Sequence, residues 1–168
     1  VQPTCMTAPP SFYQKLYSSI HESMSADSAL RQALFRWAID TGEILARCMI
    51  EMRPYTRGQR LRHRLTAMIL RDKIMRFVGR RVRFLISGGV ALPGKIEELF
   101  YAAGIQIYQG YGLTESASLV AINSPGNFMF GTAGKPLDQC EVRISEQGEI
   151  LARGPNMMAG YYKVRGDA

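Results

Sequence analysis

The chain has 168 residues, a formal charge of +7 from 21 Lys and Arg against 14 Asp and Glu, and 46% hydrophobic residues. That length suits one domain or part of a larger one, and the apolar content excludes wholesale disorder. The longest apolar run, Leu99 to Ala103, is far too short to span a membrane, and no secretory leader is expected.

Pro3 to Ala8 is apolar-leaning and stops at Pro9-Pro10, which predicts a short strand ending in a turn. Ser11 is the expected N-cap of a helix carrying Phe12, Leu16 and Ile20, and the polar stretch Ser23 to Ser28 is the expected loop after it. Leu30, Leu34, Trp37, Thr41, Ile44 or Leu45, and Cys48 then recur at helical spacing, with Gly42 as a weak point. After a break at Met52 to Gly58, Leu61, Leu65, Met68 and Ile69 resume the period. They predict a second long helix with Arg60, Arg64 and Arg71 toward its polar side.

From Arg81 the period changes. Val82 to Ile86 reads as a buried strand ending in Ser87-Gly88-Gly89. Pro93 suits the first turn of a helix with the stripe Ile96, Leu99, Phe100 and Ala103, closed by Gly104. Ile105 to Tyr108 is the next strand, so parallel pairing across a helical crossover is expected. Beyond Ala121, Gly131 to Pro136 is a turn-rich link, and Glu141–Ile144 with Glu149–Ala152 reads as a hairpin around Glu146-Gln147-Gly148. The expected fold class is α/β: a parallel, Rossmann-like sheet layer with amphipathic helices over residues 1–125, then the start of a small β subdomain over 126–168. Both ends fall in mid-pattern, as expected of a segment of a longer chain.

The charge is concentrated. Arg53 to Arg83 holds eleven basic residues and one acid, Asp72, while the remainder is net acidic. Three readings compete: a helix face whose arginines pair with acids, attraction to an anionic membrane surface or polyphosphate, and nucleic-acid binding. The last lacks a stacking platform, since Tyr55 and Phe77 are the only aromatic residues in the window. Cys5, Cys48 and Cys140 are too scattered for a zinc or dithiol motif and read as small buried residues in a reducing, cytoplasmic setting. His21 and His63 stand apart from other ligand-type residues and read as surface or cap residues.

Two glycine-rich turns fall at the carboxyl ends of neighbouring predicted parallel strands, where ligands of open α/β sheets bind. Gly88 and Gly89 would let the backbone approach a flat ligand, although such a pair is also an ordinary turn. Gln109 to Glu115 is denser. Gly110 and Gly112 flank a ring, Tyr111, that can stack on a base; Thr114 offers donors for a phosphate oxygen; Glu115 offers a hard oxygen for Mg2+. A tight turn with a capping Thr and a solvated Glu is the competing reading.

The ordered stretches Ser87 to Pro93, Gln109 to Glu115, Gly131 to Pro136, Gly148 to Asn156 and Gly160 to Lys163 resemble the adenylate-forming (AMP-binding) superfamily. Within it the chain is most similar to long-chain fatty acyl-CoA synthetases, a likeness that Thr7 to Tyr13 and Leu34 to Ala38 share. The resemblance implies adenylation of a fatty carboxylate by ATP with release of pyrophosphate, then displacement of AMP by coenzyme A. By the same resemblance Gly88, Gly89 and Val90 line the adenine and acyl pocket, and Tyr111 stacks on adenine. Gln109 and Gly110 border the base beside Gly112, Thr114 contacts phosphate, and Glu115 holds Mg2+. Val90-Ala91-Leu92 departs from the more frequent small-residue-plus-Pro version, which implies a reshaped acyl pocket.

Three family parts have no match here: the Ser/Thr/Gly-rich phosphate loop, the Thr-Gly-Asp ribose segment, for which Gly166-Asp167 comes too early, and the C-terminal domain with its catalytic Lys. The expectation is an active parent ligase, with another acid-activating ligase (short- or medium-chain or aryl acid) or a non-catalytic binding module as the alternatives; a homodimeric, cytoplasmic parent with peripheral contact at the inner face of an anionic membrane; and an inactive isolated chain.

Overall fold

The computed structural model describes residues 3–25 and 27–162. Strand β1 (Cys5–Ala8) leads into three long helices, α1 (Pro10–Ser25), α2 (Ala29–Ile50) and α3 (Arg57–Val78). The strand–helix–strand unit β2 (Phe84–Gly88), α4 (Gly94–Ala102) and β3 (Gln106–Tyr111) follows. Short strands β4 (Ala121–Ile122) and β5 (Lys135–Pro136) then precede a hairpin of β6 (Glu141–Ile144) and β7 (Ile150–Arg153).

The main sheet has the spatial order β1-β2-β3-β4-β5, its first three strands parallel and the last two antiparallel. The fold is therefore α/β with a mostly parallel sheet, as the alternation of periods predicts. β4 and β5 belong to this sheet, so 126–136 is tied to the α/β part and the separate two-stranded sheet begins only at β6. Met6, Leu85 and Ile107 are register partners, and Leu85 and Ile107 are buried against the helices. Each strand offers alternate side chains to one face, which makes that row a single apolar surface. The helices close over it with Tyr13, Ile20, Phe35, Ala38, Leu70, Ile74, Leu99 and Phe100.

Helix α1 starts at Pro10, not after a Ser11 cap, because proline's fixed φ and missing N–H suit the first turn; Phe12 N–H donates to the Pro9 carbonyl at 3.0 Å. Its inward stripe is Tyr13, Leu16, Ile20 and Met24, leaving Phe12 partly exposed and carrying the helix through the expected loop as far as Ser25. The Tyr13 hydroxyl donates to the Ile86 carbonyl at 2.7 Å, and its ring meets Phe100 edge-on at 6.1 Å. Burial pushes the Tyr13 phenol up, which keeps it a neutral donor.

Gly42 is a contact point, not a weak point. A Cβ there would lie 2.5 Å from the Glu98 carbonyl oxygen, so α2 and α4 approach closer than any side chain permits.

In α3 the apolar row that packs is not the expected one. Thr66, Leu70, Ile74, Met75 and Val78 face inward, while Leu61, Leu65, Met68 and Ile69 are exposed. The partners decide this. Thr66 Oγ1 donates to the Ala102 carbonyl at 3.1 Å, and Arg62 Nε donates to Thr41 Oγ1 at 2.6 Å with its guanidinium 5.3 Å from the Trp37 ring centroid. Both polar side chains are satisfied by α2 and α4, so their row can be buried. The helix begins at a capping box, Thr56 with Gln59, whose side chains exchange hydrogen bonds with each other's backbone N–H groups.

His63 is not a surface cap: its Nε2 donates to the Tyr101 carbonyl at 2.8 Å, and its ring stacks on Tyr101 at 5.0 Å. A carbonyl only accepts, so the proton sits on Nε2. Cys48 is buried, Cys140 is half-buried and Cys5 is exposed near the start of β1; the three are free thiols. Among the described residues no helix is long and apolar enough to cross a membrane.

Candidate functional site

The register Gly88↔Gly110 sets the two glycine turns side by side at the carboxyl ends of β2 and β3. β3 runs on through Gln109-Gly110-Tyr111, three residues past the predicted end, because β4 pairs with its far edge at Gly110↔Ile122 and Tyr111↔Ala121. The motif therefore starts as a strand held on both sides. It then turns at Gly112, where a Cβ would lie 2.3 Å from the Ser118 carbonyl oxygen and 2.6 Å from the Leu119 Cα. Only hydrogen fits between these backbone segments.

Thr114 to Ser116 form a single 3-10 turn, closed by Ser116 Oγ, which accepts from Leu113 N–H at 2.9 Å. Ala117 and Ser118 follow with φ of 50° and 81°. Left-handed backbone at two consecutive non-glycine residues stores strain and has to be held from outside. The Asn156 carboxamide supplies the hold, donating to the Ser116 carbonyl at 3.0 Å and the Leu119 carbonyl at 2.7 Å. Its Oδ1 is fixed by the Cys140 thiol at 3.0 Å.

Glu115 is gripped twice. Its carboxylate accepts from the Tyr161 hydroxyl at 2.5 Å and its carbonyl from Met158 N–H at 2.8 Å. The Tyr161 bond holds the Glu115 carboxyl below the usual carboxylate range and raises the Tyr161 phenol, so Glu115 is anionic at neutral pH. Among the described residues no cluster of three His, Cys, Asp or Glu side chains could cage a metal. A single ionised carboxylate nonetheless suits Mg2+, which typically takes one or two protein carboxylates and fills its shell with water and phosphate oxygens.

Thr114 and Gly89 are exposed, Val90 is 75% exposed, Gly88 and Tyr111 are half-buried, and no atom lies within 4 Å of the Cβ position of Gly89. The Ser87 hydroxyl just before them is buried and unpartnered. An open glycine backbone, an orphaned hydroxyl and an anionic carboxylate on one sheet edge fit a nucleotide with its cation. Gln109 differs from expectation. It is buried, and its side chain turns inward, accepting from Leu92 N–H at 2.8 Å and donating to Glu97 at 3.2 Å.

The other matching stretches arrive at the same edge. Gly131 N–H donates to Glu97 at 3.2 Å. Asn123 shapes the preceding loop, with Nδ2 donating to the Thr132 carbonyl at 2.6 Å and Oδ1 accepting from Met129 N–H at 3.1 Å. Asn156 and Tyr161 bring the last two segments onto the Glu115 turn; Lys163, at the end of the last one, and Gly166-Asp167 lie outside the described residues. Glu97, Asn123, Asn156 and Tyr161 escape sequence reasoning as functional supports. The available signals were a Glu flanked by the apolar positions Ile96 and Phe100, and Asn and Tyr inside the resemblance stretches.

Comparisons with known proteins identify the family. A long-chain-fatty-acid–CoA ligase, FadD15 of Mycobacterium bovis, is 29% identical over 164 residues, which is 96% of this chain and 26% of that protein. Long chain acyl-CoA synthetase 2 of Arabidopsis thaliana is 32% identical over 179 residues, 97% of this chain and 26% of that one. The chain thus spans about a quarter of the length of these curated relatives. Among solved structures, o-succinylbenzoate coenzyme A synthetase from Bacillus subtilis, in complex with ATP and magnesium ion, is 31% identical over 51% of this chain and 20% of that one, with a TM-score of 0.45. A benzoate CoA ligase from Burkholderia xenovorans is 29% identical over 61% of this chain and 23% of that one, with a TM-score of 0.48. The family described as AMP-binding enzyme matches residues 1–162, and this chain belongs to it.

Proposed function

We propose that this chain is the base- and metal-binding part of a ligase that activates a fatty acid with ATP and passes the acyl group to coenzyme A. Asn156 and Tyr161, from the last two matching stretches, hold the Glu115 turn, and Leu92 and Gly131, from two others, are tied to Gln109 directly and through Glu97; this convergence on Gln109 to Glu115 carries the reading. The acid's carboxylate attacks the α-phosphate of ATP, pyrophosphate leaves, and acyl-AMP forms. The coenzyme A thiol then attacks the acyl carbon, giving the thioester and AMP. Glu115 would hold Mg2+, which when bound would offset charge at the reacting phosphate, and Thr114 would donate to a phosphate oxygen. Tyr111 stacks on adenine, held between Gly110 and Gly112, which let the Ser118–Leu119 segment pack close behind it. The exposed backbone of Gly88, Gly89 and Val90 borders the acyl-adenylate.

The curated relatives' names favour a long-chain acid, and a smaller aryl acid is the alternative substrate class. A longer protein carrying this segment is expected to release pyrophosphate from ATP only with a carboxylic acid present, and fastest with long alkyl chains. Glu115→Ala is expected to cut that rate by at least about a hundredfold, the scale of losing a group that neutralises transition-state charge. Undiminished turnover in the variant removes Glu115 from its role; turnover with aryl acids alone replaces the substrate class. The 168-residue chain by itself is expected to release no pyrophosphate.

A second observation bears on location. The outer face of α3 presents Leu61, Leu65, Met68 and Ile69 between Arg57, Arg60, Arg64 and Arg76, with Asp72 as the one acid. An apolar row flanked by arginines complements an anionic lipid surface. The chain is expected to bind phosphatidylserine-containing vesicles, with affinity falling as salt rises. Arg60→Gln with Arg64→Gln is expected to weaken binding to those vesicles by about thirtyfold, at about 1 kcal/mol per basic residue. Binding that ignores both salt and these changes overturns the assignment.

A further inference from the structure

The Glu97 carboxylate is 1% exposed and lies in α4, one turn below the glycine edge. Burying an anion is costly unless donors surround it. Two donors reach it. Gln109 Nε2 donates to Oε1 at 3.2 Å, and Gly131 N–H donates to Oε2 at 3.2 Å. Gln109 Oε1 in turn accepts from Leu92 N–H at 2.8 Å. The amide's orientation follows from its neighbours: a backbone N–H needs the oxygen, and a carboxylate needs the NH2 group. Among the described residues, the other charged group acting on Glu97 is Glu98, its neighbour on the same helix.

This chain of three bonds joins what the sequence keeps apart. Leu92 closes the loop that starts at Ser87-Gly88-Gly89, Gln109 opens the stretch that ends at Glu115, and Gly131 starts the turn-rich link. α4 carries the carboxylate between them. Glu97 is itself 1% exposed, so it acts on the edge through the groups it holds.

We propose that Glu97 is a positioning residue of the nucleotide site, whose carboxylate locks the Ser87–Leu92 loop, the Gln109–Glu115 stretch and the Gly131 turn into one binding-competent arrangement. The proposal rests on the nucleotide reading of that edge, and it deepens that reading by naming what holds its parts in register. A merely space-filling Glu97 would tolerate conversion to its amide. A positioning carboxylate would not, because the amide would present an NH2 group to one of two donors. Exchanging the two residue types restores every bond: in Glu97→Gln with Gln109→Glu, the new amide donates to the new carboxylate and accepts from Gly131 N–H, while the carboxylate accepts from Leu92 N–H. Charge and atom count are unchanged.

The test compares wild type, E97Q and the E97Q/Q109E exchange in the full 168-residue chain with two readouts. Amide hydrogen exchange at Leu92 and Gly131 reports the lock without any ligand, and titration with AMP reports the site. E97Q is expected to speed exchange at both amides and weaken AMP binding, each by about tenfold or more, the scale of losing a bond to a charged acceptor. The double exchange is expected to return both to within about threefold of wild type. Unchanged exchange and AMP affinity in E97Q overturn the proposal, as does a folded double variant that stays as impaired as E97Q. If E97Q fails to fold, the double variant decides alone. If wild type binds no AMP, the nucleotide reading fails separately, and the two amides still decide whether Glu97 locks the loops.

Discussion

Gly112→Ala is expected to destabilise the chain by about 3 kcal/mol, the upper part of the range for an overpacked buried site. The added methyl would meet only main-chain atoms: the Ser118 carbonyl oxygen at 2.3 Å, and the Ser118 carbonyl carbon and Leu119 Cα at 2.6 Å. No side chain can swing away, so the backbone has to part. Parting it strains the Ser118 N–H to Leu113 carbonyl bond at 2.9 Å and the Val120 N–H to Tyr111 carbonyl bond at 2.8 Å. These bonds close the turn that carries Thr114 and Glu115, so lost stability and a displaced metal ligand should appear together. Gly42→Ala is expected to cost a similar amount, about 2–3 kcal/mol, by prising α2 from α4, but to leave the Glu115 turn intact. Gly58→Ala separates these effects from alanine itself. There the nearest atom to the new Cβ is 3.9 Å away, in the first turn of α3. The change is expected to stabilise by about 0.5–1 kcal/mol. Urea denaturation of the three variants measures all of this. A Gly112→Ala chain as stable as wild type would mean that the turn is not packed as described.

The contrast between α3 and the glycine edge explains how far sequence reasoning reaches. The strand–helix–strand unit, the parallel pairing and the hairpin follow from periods and turn residues, which are local properties. The Gly104 helix stop, at φ of 70°, follows in the same way. The choice between two apolar rows on α3 is not local. Leu61, Leu65, Met68 and Ile69 look more apolar than a row containing Thr66, yet Thr66 and Arg62 have partners waiting on α4 and α2. Satisfied polar groups can be buried, and an amphipathicity count does not see the partner. The site divides along the same line. Gly88, Gly110, Gly112, Thr114 and Glu115 are contiguous in short motifs and meet where parallel strands end, so their neighbourhood could be read in advance. Asn156 reaches back 40 residues to the strained turn, Tyr161 reaches back 46 to Glu115, and Glu97 reaches forward 34 to Gly131. Supports of that kind belong to tertiary structure: a Glu between apolar positions, or an Asn or Tyr in a matching stretch, does not reveal its partner until the distances are known. Gln109 is the case between. It lies inside the motif, but its side chain serves the scaffold, while its backbone serves the sheet.

The stability of wild type relative to Glu97→Gln is expected to fall by about 2 kcal/mol as pH rises from below 4.5 to 7. Burial lifts the Glu97 carboxyl from its ordinary 4.5 to about 6, against the opposing pull of the Gly131 and Gln109 bonds, with Glu98 adding a smaller upward push. The folded chain therefore holds a proton on Glu97 through a range where the unfolded chain has released it. Between about pH 4.5 and 6 the native state binds more protons than the unfolded state, so this group's contribution declines with rising pH. The contribution is complete below the unfolded value and lost once pH passes the folded one. Other carboxyls respond in the opposite sense. Asp27, bonded to Arg31 and Lys73, and Glu115, bonded to Tyr161, are held below their ordinary range and lose stability as pH falls. The raw pH profile mixes these signs, and subtracting the profile of the Glu97→Gln variant isolates Glu97, because the amide does not titrate. Denaturation midpoints of both proteins at half-unit pH steps give the difference curve. A curve that is flat from about pH 4 to 7 would show that the bonds from Gln109 and Gly131 offset the cost of burial in full, so that the carboxylate is held without a penalty. A curve that falls with its midpoint between about pH 5 and 6 would identify a carboxylate that the fold keeps buried at a cost to its own stability, for the sake of the loops it holds together.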